Sequence, residues 1–364
     1  MIYLDHAAST PVKKEVLEVM TRWMGKVGNP QSSHKLGRDA KDAILEAKET
    51  ISARLRCSAD ELVFTSGATE SINLAIQGIA RKKSKGHIII SAEEHPCVHS
   101  ISKALARQGF TVTTLGVDNT GLVNKQELIN SIRKDTILFS VHTINNDIGT
   151  IQNISELAKA CRENGILIHA DSSQGIPKGI TTDCDLVTYS GAKLGGPKSI
   201  GLLYLKRGVE IEPLIYGSSD QIRGGTPNVA SIVGFSKAVE IYTPVRVEMR
   251  NYAVEQLGKI GGRINGPADS VATHIISVTF SGVDARMLVR ELSDKEIYVS
   301  QGSACTSGDL EASEVLLALG MTKSEALSTI RVSMSNKTTQ KEIDTLCSAI
   351  KEISSKKSSQ VVFD

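Results

Sequence analysis

Apolar residues fall in short, nearly unbroken runs over 61–65, 87–91, 111–115, 137–142, 166–170, 186–189 and 200–205. Between most of them the spacing becomes helical, as over 154–164, where Leu157 and Cys161 share a face. Upstream, Ala40, Ile44, Ala47, Ile51 and Leu55 also fall at helical spacing. Strands alternating with helices at this distance predict an α/β protein: a mostly parallel seven-stranded sheet covered by helices on both faces. In such sheets ligands sit beyond the carboxyl ends of the strands, so the residues following each run are the candidates for chemistry. Past residue 229 the pattern changes. One long helical stretch over 232–260 leads to strand-like runs at 274–280, 296–300 and 330–334, with helices between and after them. This predicts a smaller α/β C-terminal domain. The expected division is 12–250 for the large domain, with 1–11 and 251–364 forming the small one. Residues 1–13 read as a short strand and turn, and the polar tail 354–364 as frayed.

A chain of 364 residues is long enough for one large and one smaller domain. A net charge of +2 with both signs interspersed, and 40% hydrophobic residues, predict no direct nucleic-acid or membrane partner. The first residues have no basic segment followed by an apolar one, so no signal peptide is expected, and no run of about 18 apolar residues predicts a membrane span. The six cysteines are Cys57, Cys97, Cys161, Cys184, Cys305 and Cys347, and the nearest pair lies 23 positions apart. That spacing excludes CxxC and zinc-ribbon motifs and favours a reduced, cytoplasmic protein.

The stretch from Asp185 to Leu205 sets two apolar runs on either side of a Gly/Ser/Pro loop carrying Lys193. A lysine on so rigid a mount can lose hydration and act as an amine nucleophile, although a lysine in an ordinary surface turn has the same sequence. Thr65-Ser66-Gly67-Ala68-Thr69 opens a helix after the first run. Its backbone N–H groups and helix dipole suit a phosphate, although a capped turn would read alike. His95, with Pro96 at a helix start, follows the second run and suits stacking on a flat ring. His95 and His99 are at metal-pair spacing but have no third ligand, so no metal is expected. Asn145-Asn146 follows the fourth run in a turn. Asp171 and Gln174 follow the fifth, and a carboxylate at a buried strand end needs a partner such as a protonated ring nitrogen. Lysine, buried aspartate, phosphate cradle and stacking histidine together are what pyridoxal 5'-phosphate requires. Cys305 sits apart from the other cysteines, in the small-residue loop Ser300–Gly308, where an accessible travelling thiolate nucleophile is expected. Arg331 lies in a strand of the small domain and suits a carboxylate, although a structural ion pair would have the same sequence.

Nine motifs in order now resemble one family. They are Asn29-Pro30 with Ser32-Ser33-His34, Thr65–Glu70 with Asn73, Glu94-His95, Asn145-Asn146 with Ile148-Gly149, and His169-Ala170-Asp171 with Gln174. Ser190 and Lys193 with Gly196-Pro197-Lys198, Gly225-Thr226 with Asn228, Gly302–Ser307 around Cys305, and Ile330-Arg331 with Ser333 complete the set. From Tyr3 to about Ile350 the chain resembles the cysteine desulfurases of the NifS/IscS type, within the class V aminotransferase superfamily of fold-type I pyridoxal-phosphate enzymes. The resemblance implies that Lys193 holds the cofactor covalently, Asp171 pairs with the ring nitrogen and Gln174 with the ring hydroxyl. His95 would stack on the ring and shuttle protons. Ala68, Thr69 and Ser190 would hold the phosphate, and Thr226 would serve the phosphate site of the partner subunit in a homodimer. Asn146 and Arg331 would grip the carboxylate of L-cysteine. Cys305 would take the sulfur as a persulfide and pass it to an acceptor, an iron–sulfur scaffold or a tRNA-thiolation protein. Rival readings are a selenocysteine lyase or another class V enzyme, and a non-catalytic scaffold paralogue.

Three departures from the family pattern stand out. Ala192 replaces the histidine before the lysine. Residues 218–222 replace a Gln-Glu-Arg run. Gly195-Gly196-Pro197-Lys198-Ser199 replaces Tyr-Gly-Pro-Lys-Gly. All three are expected near the phosphate. Losing one charge-assisted hydrogen bond there costs about 1.5–3 kcal/mol, or roughly tenfold to a hundredfold in affinity, so weaker cofactor retention is expected.

Overall fold

The computed structural model describes residues 1–176, 180–217, 222–302 and 312–358. The strands in chain order are β1 (Ile2–Tyr3), β2 (Leu62–Thr65), β3 (His87–Ser91), β4 (Thr111–Leu115), β5 (Thr136–His142) and β6 (Leu167–Asp171). They continue with β7 (Leu186–Ser190), β8 (Gly201–Leu205), β9 (Arg263–Asn265), β10 (Ile275–Thr279), β11 (Ile297–Tyr298) and β12 (Thr329–Ser333). Seven of them form the large sheet in the order β2-β8-β7-β6-β5-β3-β4. Only β8 runs against its neighbours. The other pairings are parallel.

The expected two-faced sheet is present, and alternation along the strands explains it. Ile89, Phe139, Ile168, Val187 and Leu202 point to one face, against helices Lys35–Leu55, Ile154–Glu163 and Val229–Glu240. Ile88, Ile90, Leu138, Leu186 and Leu203 point to the other, against helices Ala68–Lys83 and Pro96–Arg107. Each fully buried aliphatic side chain contributes about 1.5–3 kcal/mol. Strands apolar on both faces therefore form a stiff platform whose carboxyl edge can carry polar groups.

A second core holds Leu4 together with Leu257, Ile276, Val278, Leu292, Ile330, Val332 and Ile350. Around it lie an antiparallel sheet in the order β12-β10-β9 and the parallel pair β1-β11. The first strand of the chain thus packs among the last elements. Three details differ from the sequence reading. The single helix expected over 232–260 is two, Val229–Glu240 and Val247–Lys259, because Pro244 between them has no N–H to continue the ladder. Strand β9, three residues long, was not anticipated. Residues 354–358, expected to fray, continue helix Gln340–Ser358.

Candidate active site

The carboxyl edge of the large sheet opens into a cavity of about 500 Å³. Ala68, Thr69, His95, Asn146, Asp171, Gln174, Ser190, Lys193 and Arg331 all line it. They come from the ends of β2, β3, β5, β6 and β7 and from within β12.

Lys193 ends a short turn, Gly191–Lys193, directly after β7. The N-terminal arm pins this turn. Thr10 Oγ1 donates to the Ala192 carbonyl and accepts from the Gly195 N–H, both at 2.8 Å. Lys193 Nζ itself donates to the Ala8 carbonyl. The amine is therefore held at the cavity wall by backbone.

The phosphate-cradle turn precedes helix Ala68–Lys83. Thr65 Oγ1 braces it through the Gly67 carbonyl at 3.0 Å and Ser71 Oγ at 2.7 Å. The turn lies directly on β8 at Gly201. A Cβ there would strike the Gly67 carbonyl carbon and come within 2.8 Å of the Ala68 nitrogen. The cradle exists because residue 201 has no side chain. Glu70 on this helix pairs with Arg223 at 2.9 Å, tying it to the segment before Thr226.

His95 is the N-cap of helix Pro96–Arg107, and its Nδ1 accepts the Cys97 N–H at 3.2 Å. A neutral ring in this arrangement carries its proton on Nε2. Desolvation lowers its pKa and Lys193 adds to this, against a rise from Asp171. Asp171 ends β6, buried, and accepts from the Ser173 N–H at 2.9 Å and from the Ser173 hydroxyl. Gln174 Nε2 donates to the Ala7 carbonyl at 3.1 Å.

Arg331 is only 4% exposed. Its guanidinium meets Asp5 at 2.9 Å and Asp147 at 3.4 Å, and donates to the Asn146 carbonyl at 2.9 Å. Its Nε is buried without a partner, an orphan donor of the kind a carboxylate would satisfy. Asn146 Nδ2 donates to Asp147 Oδ1 at 2.8 Å. Asn145 holds the turn from within, its Oδ1 accepting the N–H groups of Asp147 and Ile148 at 2.8 and 2.9 Å.

One expected site residue lies elsewhere. Thr226 lines a separate cavity of about 510 Å³ with Ser66, Ser199, Arg223 and Asn228. Cys305 falls in 303–311, outside the described residues. The described positions of the family departures line three different cavities. Ala192 lines the main cavity. Ser199 lies in the Thr226 cavity. Gly195 borders a third space of about 260 Å³, and a Cβ on it would meet Lys13 Cε at 2.8 Å. Of the run 218–222 only Ile222 is described.

Four residues at the site were missed from sequence. Asp5 and Asp147 hold Arg331, and Glu93 and His142 form a buried ionic contact at 2.8 Å. Glu93, Asp147 and His142 each occupy a position just at or after a strand end, which was the available signal. Asp5 had none.

The fold and this constellation define a class. The chain belongs to the aminotransferase class-V family, whose pattern matches residues 2–346, and its fold is that family's fold-type I. Within it, the chain is 40% identical over 370 residues to a protein named cysteine desulfurase IscS from Methanosarcina thermophila, covering 97% of this chain and 91% of that one. The protein of the same name from Dictyoglomus turgidum is 39% identical, with 94% and 92% covered. Among solved structures, a NifS-like protein superposes with a TM-score of 0.89 at 32% identity, covering 97% of this chain and 99% of that one. A structure described as SspA in complex with cysteine gives 0.84 at 36%, covering 92% and 99%.

Proposed function

We propose that this chain is a pyridoxal-phosphate-dependent cysteine desulfurase. The observation that carries the reading is the convergence of Lys193, Asp171, His95, the Ala68–Thr69 turn and Arg331 on one cavity, in a chain about 40% identical to proteins of that name. The residues fit the cofactor. A buried carboxylate (Asp171), a helix N-terminus (Ala68, Thr69) and an amine (Lys193) line one cavity. Bound there, the cofactor supplies an electron sink for the substrate's α-carbon. Lys193 would hold it, Asp171 would bind its ring nitrogen, Gln174 its hydroxyl, and Ala68, Thr69 and Ser190 its phosphate.

The chain's own groups do the rest. Arg331 and Asn146 orient the substrate carboxylate, the orphan Nε offering an unused donor. His95 would cover the ring face, and its Nε2–H tautomer would give a proton before it could take one. Cys305 attacks the substrate sulfur. The C–S bond breaks and an S–S bond forms, so L-cysteine and the Cys305 thiol become L-alanine and a Cys305 persulfide. An acceptor protein then removes the outer sulfur, for iron–sulfur cluster assembly or tRNA thiolation. Thr226, lying away from the chain's own cavity, supports a homodimer in which it completes the partner's phosphate site. The packing of Leu4 within the second core supports 12–250 as the large domain, with 1–11 and 251–364 as the small one. Among the described residues no helix is long and apolar enough to cross a membrane, and a cytoplasmic location is proposed.

The test is alanine and sulfide formation from L-cysteine. Lys193→Ala should abolish both products and the visible cofactor band. Cys305→Ala should abolish sulfide release and leave the band. Unchanged turnover in Cys305→Ala would overturn the reading in favour of another class V activity, and failure of the wild-type chain to take up the cofactor would favour a binding paralogue.

A further inference from the structure

Glu93 and His142 take no part in the chemistry assigned above, yet both are fully or almost fully buried beneath the cavity, at 0% and 3% exposure. His142 ends β5 and pairs in register with Asp171 at the end of β6. Residues so paired in a sheet point to the same face, and both line the cavity. On its other side His142 Nε2 lies 2.8 Å from Glu93 Oε1. Glu93 is fixed as an acceptor. Gln152 Nε2 donates to Oε1 at 2.6 Å and Asn145 Nδ2 approaches Oε2 at 3.3 Å. Amide N–H groups on both oxygens fix the orientation of this carboxyl group.

Three carboxyl groups therefore surround one imidazole: Glu93, Glu94 and Asp171. Burial, the largest effect on Glu94, pushes it up to about 8, and its Oε2 has no partner. Burial alone would lower His142, but the charges of Glu93, Glu94 and Asp171 outweigh it and raise it to about 9. His95 stands nearby, and Lys193, Asp5 and Arg331 line the same cavity. At neutral pH His142 is thus held as its imidazolium.

We propose that the Glu93–His142 pair is a positioning device for Asp171. The imidazolium, with the Glu93 carboxyl group 2.8 Å from it, keeps the Asp171 carboxyl group directed into the cavity, where it would bind a protonated ring nitrogen. Carboxyl groups crowded into one buried site disfavour each other's ionisation, and a positive charge among them offsets this. The device strengthens the ring-nitrogen end of the cofactor in a chain that has Ala192 at the opposite end. It rests on the cofactor assignment above.

The experiment compares two ligands on the full-length protein, pyridoxal phosphate and its deaza analogue, in which carbon replaces the ring nitrogen. Dissociation constants are read by absorbance titration. In His142→Leu, pyridoxal phosphate should bind about tenfold more weakly or worse, a loss of about 1.4 kcal/mol, while the analogue's affinity stays unchanged. Glu93→Gln should shift the same ratio in the same direction by less. If His142→Leu leaves Glu93 stranded and does not fold, the double variant Glu93→Gln/His142→Leu removes both charges and carries the comparison. Equal weakening of both ligands means a structural role and overturns the proposal, as does no weakening of either. A wild-type protein that binds neither ligand defeats the cofactor assignment instead, so the two failures are distinguishable.

Discussion

Arg331 enters the cavity already held by two carboxylates, Asp5 and Asp147. A substrate carboxylate must therefore share the guanidinium or use the buried Nε. An arginine fork presents five donors, so sharing is geometrically open to it where a lysine would offer a single point charge. Ser199 poses a different residue-scale question. Its φ of +59° lies in the left-handed region, where an L-residue costs about 1–2 kcal/mol relative to a right-handed conformation. Glycine carries no such cost, and Ser199→Gly is expected to stabilise the protein by about 1 kcal/mol, read as a higher urea midpoint with an unchanged slope. A midpoint that stays put or falls would show that the serine side chain makes a compensating contact. The same position shows what a sequence can and cannot reveal. Serine for glycine was visible as a departure, but whether it removed a phosphate contact or introduced backbone strain depended on φ and on which cavity Ser199 borders. Lys193, Asp171 and His95 were legible because each follows a predicted strand. The two acids on Arg331 were not, since Asp5 lies 326 positions away and no local pattern links them.

At the scale of elements, the large sheet was legible because strands buried on both faces are continuously apolar. The helix break at Pro244 and the three-residue β9 were harder, the first because helical periodicity runs up to it from both sides, the second because three residues carry no period. The contact between β8 and the phosphate-cradle turn was not legible at all. Nothing local to Gly201 indicates that the backbone of residues 67 and 68 rests on its α-carbon. Because that turn must present its N–H groups at fixed positions, a side chain at 201 should act on cofactor binding before it acts on the fold. Gly201→Val is expected to force the turn outward at a cost of about 1–3 kcal/mol, weakening pyridoxal-phosphate affinity by roughly tenfold to a hundredfold. Far-ultraviolet circular dichroism should remain native. Wild-type affinity in this variant would mean that the turn moves freely and does not shape the site.

For the whole molecule, buried titratable groups should set an optimum in stability. His169 is buried with both ring nitrogens on hydroxyls, Ser140 and Thr188, each at 3.0 Å. Burial holds it down to about 4, and His274 is likewise lowered to about 4, by burial first and then by Arg250. Below pH 6.5 the unfolded chain takes up these protons and the folded one does not, so stability falls as pH drops toward 4. The gap at His169 corresponds to on the order of 3 kcal/mol. Glu94, raised to about 8, opposes part of this loss, because its contribution is complete below 4.5 and declines as pH rises through 8. His142, raised to about 9, contributes fully below 6.5 and loses its contribution as pH climbs through 9. The two histidines outweigh Glu94 on the acid side, and His142 and Glu94 act together on the alkaline side. Urea midpoints at fixed protein concentration should therefore peak near pH 6.5 and fall toward both pH 4.5 and pH 9. His169→Asn, which keeps a hydrogen-bonding side chain that does not titrate, should flatten the acid limb while leaving the alkaline one unchanged. An acid limb equally steep in that variant would place the loss on other groups, and a midpoint rising steadily to pH 9 would show that His142 is not held as an imidazolium.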